Sequence, residues 1–338
     1  MKQRVIDAIE HKSTDLTPWH IDMTSGFIRN LQQHTGCEDA ETCLGNHLMR
    51  AKYKQNEKLD EIHEKDIFGV TWQKTDDGGD VGVVTGFPLK DASLEEYTFP
   101  QVRSGFVKEL GEKLQNDASG RFRMFSLTMC YYERAWSLRG MENILMDMVL
   151  DEKATEMLFN KILEHHLELL EEALDYDYEG VYFGDDWGQQ RGLIMGPKHW
   201  RKYIGPGVAQ MYALVKSRGK YVIQHSCGDI RSIMPDLVDM GLDVYNTVQP
   251  EIYDLKQLKN EFGKHITFYG GISTQQFLPQ ATTEECRDMA KDMLEIMGPG
   301  GGYIFAPTHA VTPDIPVENV LALVDVVKQY HWNLSWRQ

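Results

Sequence analysis

The chain has 338 residues, of which 42% are hydrophobic and 25% charged, and its formal net charge is −16. This apolar share suits a globular protein with a sizeable core, whereas the acidic balance argues against binding to nucleic acid or to an anionic membrane surface. No apolar run approaches the roughly 20 residues that span a bilayer, and no signal-peptide core is apparent. The five cysteines include no C-x-x-C pair and do not suggest a disulfide framework. We therefore expect a cytoplasmic enzyme.

The first third of the chain is the least regular part. An amphipathic helix is expected from Gln3 to His11, and an apolar stretch runs from Trp19 to Met23. The passage from Phe68 to Thr85 resembles a hairpin, because Asp77-Gly78-Gly79-Asp80 at its centre supplies residues that tolerate the positive φ angles of a tight turn.

From about residue 116 onward, short runs rich in β-branched and aromatic residues alternate with helical patterns. The predicted strands are Phe122–Leu127, Gly180–Phe183, Tyr221–Gln224, Val244–Val248, Ile266–Tyr269 and Tyr303–Ala306. The predicted helices are Glu142–Glu172, Pro197–Ser217, Ile230–Met240, Thr282–Met297 and Pro316–Tyr330. This alternation predicts βα units and a parallel sheet. We expect a single domain over residues 1–338, with an irregular part at 1–115 and regular units at 116–338.

Unusual residues directly follow the predicted strands: Asp185, Asp186, His225, Cys227, Gln249 and His309. In a (β/α)₈ barrel the carboxyl ends of all strands meet at one mouth, where active sites form. In an open, doubly wound sheet the same residues would be spread along an edge. We therefore favour an α/β barrel of the TIM type over the open sheet, although only six strands are clear, or seven with Trp19–Met23.

The sequence Gln224-His225-Ser226-Cys227-Gly228-Asp229 is the sharpest local feature. Because side chains in a strand alternate between faces, His225 and Cys227 project to the same side. An imidazole and a thiolate on one face make half of a zinc site. The alternative is that Cys227 is a buried small apolar residue and His225 a core histidine.

His309 is the candidate for a third ligand, because it ends the stretch from Tyr303 and so reaches the same mouth; the alternative is an ordinary loop histidine. One of Asp185 and Asp186 is expected to face the pocket as a ligand, a general acid–base or an orienting group for His225. Either could equally be a helix cap or a turn residue.

Three further residues are expected to bind substrate: Tyr132, Trp187 and Gln249. Tyr132 follows the first of the clear strands, Gln249 follows the strand at Val244–Val248, and Trp187 would supply a flat apolar wall. The Arg134 that accompanies Tyr132 could equally form a surface salt bridge.

Several blocks together resemble the uroporphyrinogen decarboxylase superfamily, a set of distorted (β/α)₈ barrels that also contains cobalamin-dependent methyltransferases. The blocks are RVIDAIEHKSTDLTPWHID, FGDDWGQQRGLIMGPKHWRKYI, HSCGDIRSIMPDLVDMGLDVYNTVQPE, ITFYGGISTQQFLP and GGGYIFAPTHAVTPDIPVENV. The likeness covers nearly the whole chain. It implies a distorted barrel with its site at the mouth.

Within that superfamily the resemblance is closer to the methyltransferase branch. True decarboxylases carry an N-terminal R-Q-A-G-R-like motif that holds substrate carboxylates, and the corresponding region here, Asp22 to Phe27, has no such arginines. The methyltransferases bind zinc through H-x-C and a distant Cys. His225 and Cys227 match that pair, and His309 stands where the third ligand would fall. Two imidazoles and one thiolate would leave zinc at +1, a stronger Lewis acid than a site with two thiolates.

The resemblance therefore implies a zinc-dependent methyltransferase. It would move a methyl group from a small, possibly methoxylated, donor to a corrinoid (cobalamin) carried by a separate protein. Two alternatives stay open at this point: a metal-independent decarboxylase of a small carboxylate, and a non-catalytic ligand-binding barrel.

Overall fold

The computed structural model describes residues 1–74 and 82–331. The strands are β1 (Leu48–Lys52), β2 (Asn56–Lys58), β3 (His63–Asp66), β4 (Thr71–Gln73), β5 (Val83–Gly86), β6 (Phe122–Leu127), β7 (Gly180–Gly184), β8 (Gly188–Gln189), β9 (Gly192–Leu193), β10 (Tyr221–His225), β11 (Val244–Val248), β12 (Thr267–Ile272) and β13 (Tyr303–Pro307).

The helices alternate with the long strands after β5. They are α1 (Lys2–Ile9), α2 (Ser25–Thr35), α3 (Ala40–Leu44), α4 (Ser104–Gln115), α5 (Tyr132–Arg139), α6 (Met141–Leu150), α7 (Glu152–Ala173), α8 (Gly196–His199), α9 (Gly205–Ser217), α10 (Met234–Asp239), α11 (Leu255–Phe262), α12 (Thr283–Met297) and α13 (Val317–Gln329). A π-helical turn at Trp200–Ile204 joins α8 to α9, and a 3₁₀ turn at Arg231–Ile233 precedes α10.

A seven-stranded parallel sheet in the order β1-β6-β7-β10-β11-β12-β13 forms the centre of the fold. Five of its strands, β6, β7, β11, β12 and β13, are buried on both faces, as expected for a sheet covered by helices. Inward-facing side chains such as Tyr182, Ile223 and Tyr269 form an interior cluster, which Val5 and Ile9 of α1 close from below.

The segment from Trp19 to Met23 occupies the gap between β13 and β1. Trp19 bridges Phe305 in parallel, and Met23 bridges Val311. On the other side, the backbone N–H of His47, directly before β1, donates to the carbonyl of Trp19 at 3.0 Å. The segment thus takes an eighth position around the sheet, and the α/β barrel expectation is confirmed, with one wall formed by isolated bridges in place of a regular strand.

Most of the predicted elements after residue 116 are present, with their ends shifted by up to four residues. The helix predicted for Glu142–Glu172 is two helices that meet at Asp151, whose side chain caps the second by accepting from Ala154 N–H at 3.0 Å. The elements that the sequence did not predict include α5, α11 and the short strands β8 and β9 after residue 116, and β1 to β3 and α2 to α4 before it. The expectation of a single domain over residues 1–338 stays a prediction.

The predicted hairpin is present as the antiparallel pair of β4 and β5. Its proposed turn, Asp77–Asp80, lies outside the described residues. Within residues 1–74 and 82–331, no helix combines the length and the apolar character that a bilayer crossing requires. A cytoplasmic location stays a prediction.

Candidate metal centre

His225, Cys227 and His309 come together at the mouth of the barrel. His225 ends β10, Cys227 follows it by two residues, and His309 follows β13. One ligand atom from each lies within 4.8 Å of the other two. The distance from His225 Nε2 to Cys227 Sγ is 3.5 Å. Metal–ligand bonds of about 2.0 to 2.3 Å in a tetrahedron separate two ligands by about 3.5 Å, so this donor set fits zinc.

The contacts of Asn246 determine which nitrogen of His225 faces this cluster. Asn246 Nδ2 donates to the carbonyl of Tyr269 at 3.0 Å, so Oδ1 is the acceptor on its other side. That oxygen lies 2.5 Å from His225 Nδ1 and also accepts from the Tyr182 hydroxyl at 2.9 Å. His225 Nδ1 therefore carries the proton, and the lone pair of Nε2 points toward Cys227 and a metal.

The protein environment favours uncharged ligands in the absence of a metal. Burial of its sulfur, together with the nearby charge of Asp186, raises the pKa of the Cys227 thiol. His309 keeps solvent contact at the mouth, but the protein on its other sides desolvates the imidazole and lowers its pKa to about 4. A neutral imidazole is the form that binds a metal, whereas the thiol must lose its proton on binding.

The structure separates the roles of the two adjacent aspartates. Asp186 lies beside the cluster: its Oδ1 accepts from the Cys227 backbone N–H at 2.8 Å and lies 3.4 Å from His225 Nε2. It is not part of the three-residue set found among the described residues. Its carboxylate is nevertheless within reach of the ligand atoms.

Asp185 is buried and points to the start of α5. Its carboxylate accepts from the backbone N–H groups of Tyr131, Tyr132 and Glu133 at 3.0, 2.9 and 2.7 Å, and from the Trp187 indole at 2.5 Å. These donors fill the acceptor positions of a carboxylate. Burial nevertheless raises the pKa of Asp185. Its surroundings are those of a helix-capping residue, so of the two aspartates only Asp186 keeps the position that the expected chemical role requires.

Two of the three residues predicted to bind substrate lie in the core. Tyr132 and Trp187 are fully buried, and the Tyr132 hydroxyl donates to Met141 Sδ at 2.9 Å. Gln249 Oε1 accepts from the Gly228 backbone N–H at 2.8 Å and so holds the loop that carries Cys227.

Two glycines allow the loops after β7 and β10 to pack backbone against backbone. Gly228 has φ +80°, and a Cβ there would lie 2.2 Å from the carbonyl carbon of Gly188. A Cβ on Gly188 would lie 2.6 Å from the carbonyl oxygen of Cys227. The close contact brings Asp186 and Cys227, one from each loop, to the same point of the mouth.

Sequence reasoning did not single out Asn246, Tyr182 or Glu133. Burial and the carboxylates of Asp186 and Asp185 raise the pKa of Glu133 well above its usual range. The signal for Glu133 was its place after β6, where Tyr132 and Arg134 were considered instead. Asn246 and Tyr182 lie inside strands and show no ligand pattern.

Comparison with known proteins agrees with this fold. The family profile of Uroporphyrinogen decarboxylase (URO-D) matches residues 68–330. The chain belongs to this family. A match to the methylcobamide:CoM methyltransferase MtaA of Methanosarcina barkeri is 28% identical over 138 residues, 41% of this chain and 38% of that protein. A match to a uroporphyrinogen decarboxylase of Legionella pneumophila is 24% identical and covers 60% of this chain and 56% of that protein.

Both matches span less than two thirds of the relative's own length. Among solved structures, a methyltransferase from Methanosarcina mazei superposes with a TM-score of 0.75 at 17% identity, over 97% of this chain and 98% of that chain. At this identity the superposition shows the shared fold.

Proposed function

We propose that this protein is a zinc-dependent methyltransferase that moves a methyl group from a small methylated donor to a corrinoid carried by a partner protein. The observation that carries the proposal is the convergence of His225, Cys227 and His309 within 4.8 Å at the barrel mouth. Relatives in the family support the reaction type, since they include a methylcobamide:CoM methyltransferase.

The donor set favours activation of a methoxyl or similar group. Two neutral imidazoles and one thiolate leave one positive charge on a bound Zn²⁺, which as a Lewis acid would withdraw electron density from the heteroatom that carries the methyl group. The corrinoid of the partner would supply the nucleophile that accepts the methyl group.

The remaining residues hold these groups in place. Asn246 keeps the proton on His225 Nδ1, so that Nε2 stays available. Asp186 accepts from the Cys227 backbone N–H at 2.8 Å, which fixes the loop that carries the thiolate, and its carboxylate is placed to exchange a proton with a bound substrate. Asp185 acts through the start of α5 and the Trp187 ring, which makes it a positioning residue.

Metal analysis of the purified protein and of the Cys227→Ala variant tests the proposal. We expect about one zinc per chain in the wild type, loss of zinc and of methyl transfer in Cys227→Ala, and neither loss in the matched control Cys43→Ala, whose half-buried thiol lies elsewhere. The activity screen would use methoxylated aromatics, methylamines and betaines with a corrinoid protein. Full activity in metal-free protein would refute the mechanism.

A decarboxylase of a small carboxylate is the second candidate, because uroporphyrinogen decarboxylases are also among the relatives. Such an enzyme would use Asp186 as its acid and would need no metal. It predicts that Cys227→Ala releases CO₂ from its substrate as fast as the wild type does. A non-catalytic barrel would bind zinc and ligand without turnover of any donor.

A further inference from the structure

Cys37 and Cys43 lie side by side where the chain passes from α2 to α3. Cys37 follows the glycine that ends α2, and Cys43 lies inside α3. The carbonyl oxygen of Asp39 accepts from Cys37 Sγ at 3.3 Å and from the Cys43 backbone N–H at 2.9 Å. Thr35 Oγ1 accepts from the Cys37 backbone N–H at 3.3 Å and from Cys43 Sγ at 3.7 Å. Each sulfur is therefore separated from the backbone of the other cysteine by a single oxygen atom.

The two thiols also contact each other. A hydrogen bond to the Cys43 thiol raises the pKa of the Cys37 thiol, so the two sulfurs lie within hydrogen-bonding reach. Both residues keep contact with solvent, whereas Cys130 and Cys286 are buried. A small reagent in solution can therefore reach this pair, and the second thiol is in place when the first has reacted.

Helix α3 and the residues after it support the barrel wall that is formed by isolated bridges. The Trp19 indole donates to the carbonyl of Leu44, the last residue of α3, at 3.1 Å. The Asn46 side chain pairs with both backbone groups of Ile21: it accepts from the N–H at 2.8 Å and donates to the carbonyl at 2.9 Å. The same amide donates to Glu41 of α3 at 2.8 Å. The position of α3 therefore determines the position of this wall.

Helix α2 holds the same wall at its other end. Thr24, which caps α2, donates from its backbone N–H and from its hydroxyl to the carbonyl of Val311, at 3.0 and 3.1 Å. The wall thus lies between α2 and α3, and a bond from Cys37 to Cys43 would join these two helices through a short loop. Because isolated bridges take the place of a continuous ladder in the wall, local opening is easiest to restrict there by such a bond.

We propose that Cys37 and Cys43 form a reversible disulfide on reaction with a small-molecule disulfide, and that this bond clamps the barrel wall. One cysteine sulfur attacks a sulfur of the reagent, whose S–S bond breaks and releases a small thiol that takes up the proton. The other cysteine sulfur attacks the resulting mixed disulfide and releases a second small thiol with the second proton. Two cysteine thiols are oxidised, and one small disulfide is reduced to two thiols.

Peptide mass spectrometry of the full-length protein tests the bond. Reduced protein is incubated with oxidised glutathione, its remaining thiols are alkylated in unfolding buffer, and the chain is cleaved with trypsin. Both cysteines fall in one tryptic peptide, because neither Lys nor Arg occurs between Arg29 and Arg50. In most of the chains we expect this peptide to be two hydrogens lighter than its reduced form, and to regain them after treatment with dithiothreitol.

The other cysteines and two single variants are the controls. In Cys37→Ser and Cys43→Ser the remaining cysteine has lost its neighbouring thiol, so we expect a stable mixed disulfide with glutathione. Cys130 and Cys286 are buried and should carry only the alkyl label. If the wild type stops at the mixed disulfide, or if neither thiol reacts, the assignment is overturned. Cys227 lies in a different tryptic peptide, so failure of the proposed function would leave this result unchanged.

Hydrogen exchange of the oxidised and reduced proteins tests the clamp. The backbone N–H groups of Ile21 and Thr24 form hydrogen bonds that hold the wall, and we expect them to exchange at least about tenfold more slowly after oxidation. Peptides from β11 and β12 should exchange equally in both forms, and the double variant Cys37→Ser/Cys43→Ser should not respond to oxidised glutathione. Equal exchange of the wall in oxidised and reduced wild type would overturn the clamp.

Discussion

Replacement of Asn246 by leucine removes the hydrogen bonds that orient His225 while keeping the side chain about the same size. The wild-type amide accepts from His225 Nδ1 and from the Tyr182 hydroxyl and donates to the Tyr269 carbonyl. Leucine offers none of these. His225 is then free to rotate or to carry its proton on Nε2, the atom that must bind the metal.

The loss can be estimated from these contacts. Removal of a group that orients a metal-binding histidine weakens metal affinity by about 10 to 100-fold, which corresponds to about 1.4 to 2.8 kcal/mol of binding free energy. The Tyr182 hydroxyl, which is buried, also loses its acceptor, and one unsatisfied buried group costs about 1 to 3 kcal/mol of unfolding free energy. Asn246→Asp restores an acceptor for both donors and should keep zinc affinity near that of the wild type.

Competition of the purified variants with a chromophoric zinc chelator measures the affinities, and urea denaturation measures the stabilities. Asn319→Leu is the matched control: Asn319 is a buried asparagine that donates to the carbonyls of Leu278 and Ala281, away from the site, so only stability should fall. If Asn246→Leu binds zinc as tightly as the wild type, His225 is not oriented by this contact, and our assignment of its tautomer is wrong.

Three further predictions test other parts of the structure. Gly228→Ala should lower the unfolding free energy by at least about 1 kcal/mol more than Gly219→Ala does. Both glycines have positive φ, but only a Cβ on Gly228 would clash with another backbone segment. Equal urea midpoints for the two variants would contradict the contact between the loops. Asp185→Asn should lose about 1 to 3 kcal/mol of unfolding free energy, whereas Asp186→Asn should lose turnover with little change in stability, and the reverse pattern would exchange their roles. Burial lowers the pKa of His166 to about 3, so its contribution to stability is complete above its ordinary pKa and is lost as pH falls toward 3. Below about pH 6.5, the unfolding free energy of His166→Gln should fall with decreasing pH less steeply than that of the wild type, by up to about 1.4 kcal/mol per pH unit. If the plots of unfolding free energy against pH are parallel for the two proteins, His166 does not take up a proton on unfolding.

The strands after residue 116 were predictable because their apolar, β-branched runs are buried on both faces and read as continuous hydrophobic segments. Strand β1 was not, because Arg50 and Lys52 occupy two of its five positions. A strand that carries ionic side chains lacks the apolar pattern by which strands are recognised.

The grouping of His225, Cys227 and His309 followed from strand alternation and from the meeting of strand ends, which are general properties of the fold. The direction of each aspartate could not be derived in the same way. Asp185 and Asp186 follow β7 in a loop, where no fixed period applies, and only the position of α5 decides which of them caps it.

The wall formed by Trp19–Met23 and β1 lies before residue 68, where the family match begins. The candidate metal ligands lie within the matched part, and Asp22, Arg50 and Lys52 lie outside it. The two halves of the mouth are thus separate stretches of chain that join by backbone hydrogen bonds at the edges of the barrel. An exchange of residues 17–52 between two proteins of this family would replace this wall of the barrel as one continuous stretch of chain and leave the residues of the candidate metal centre in place.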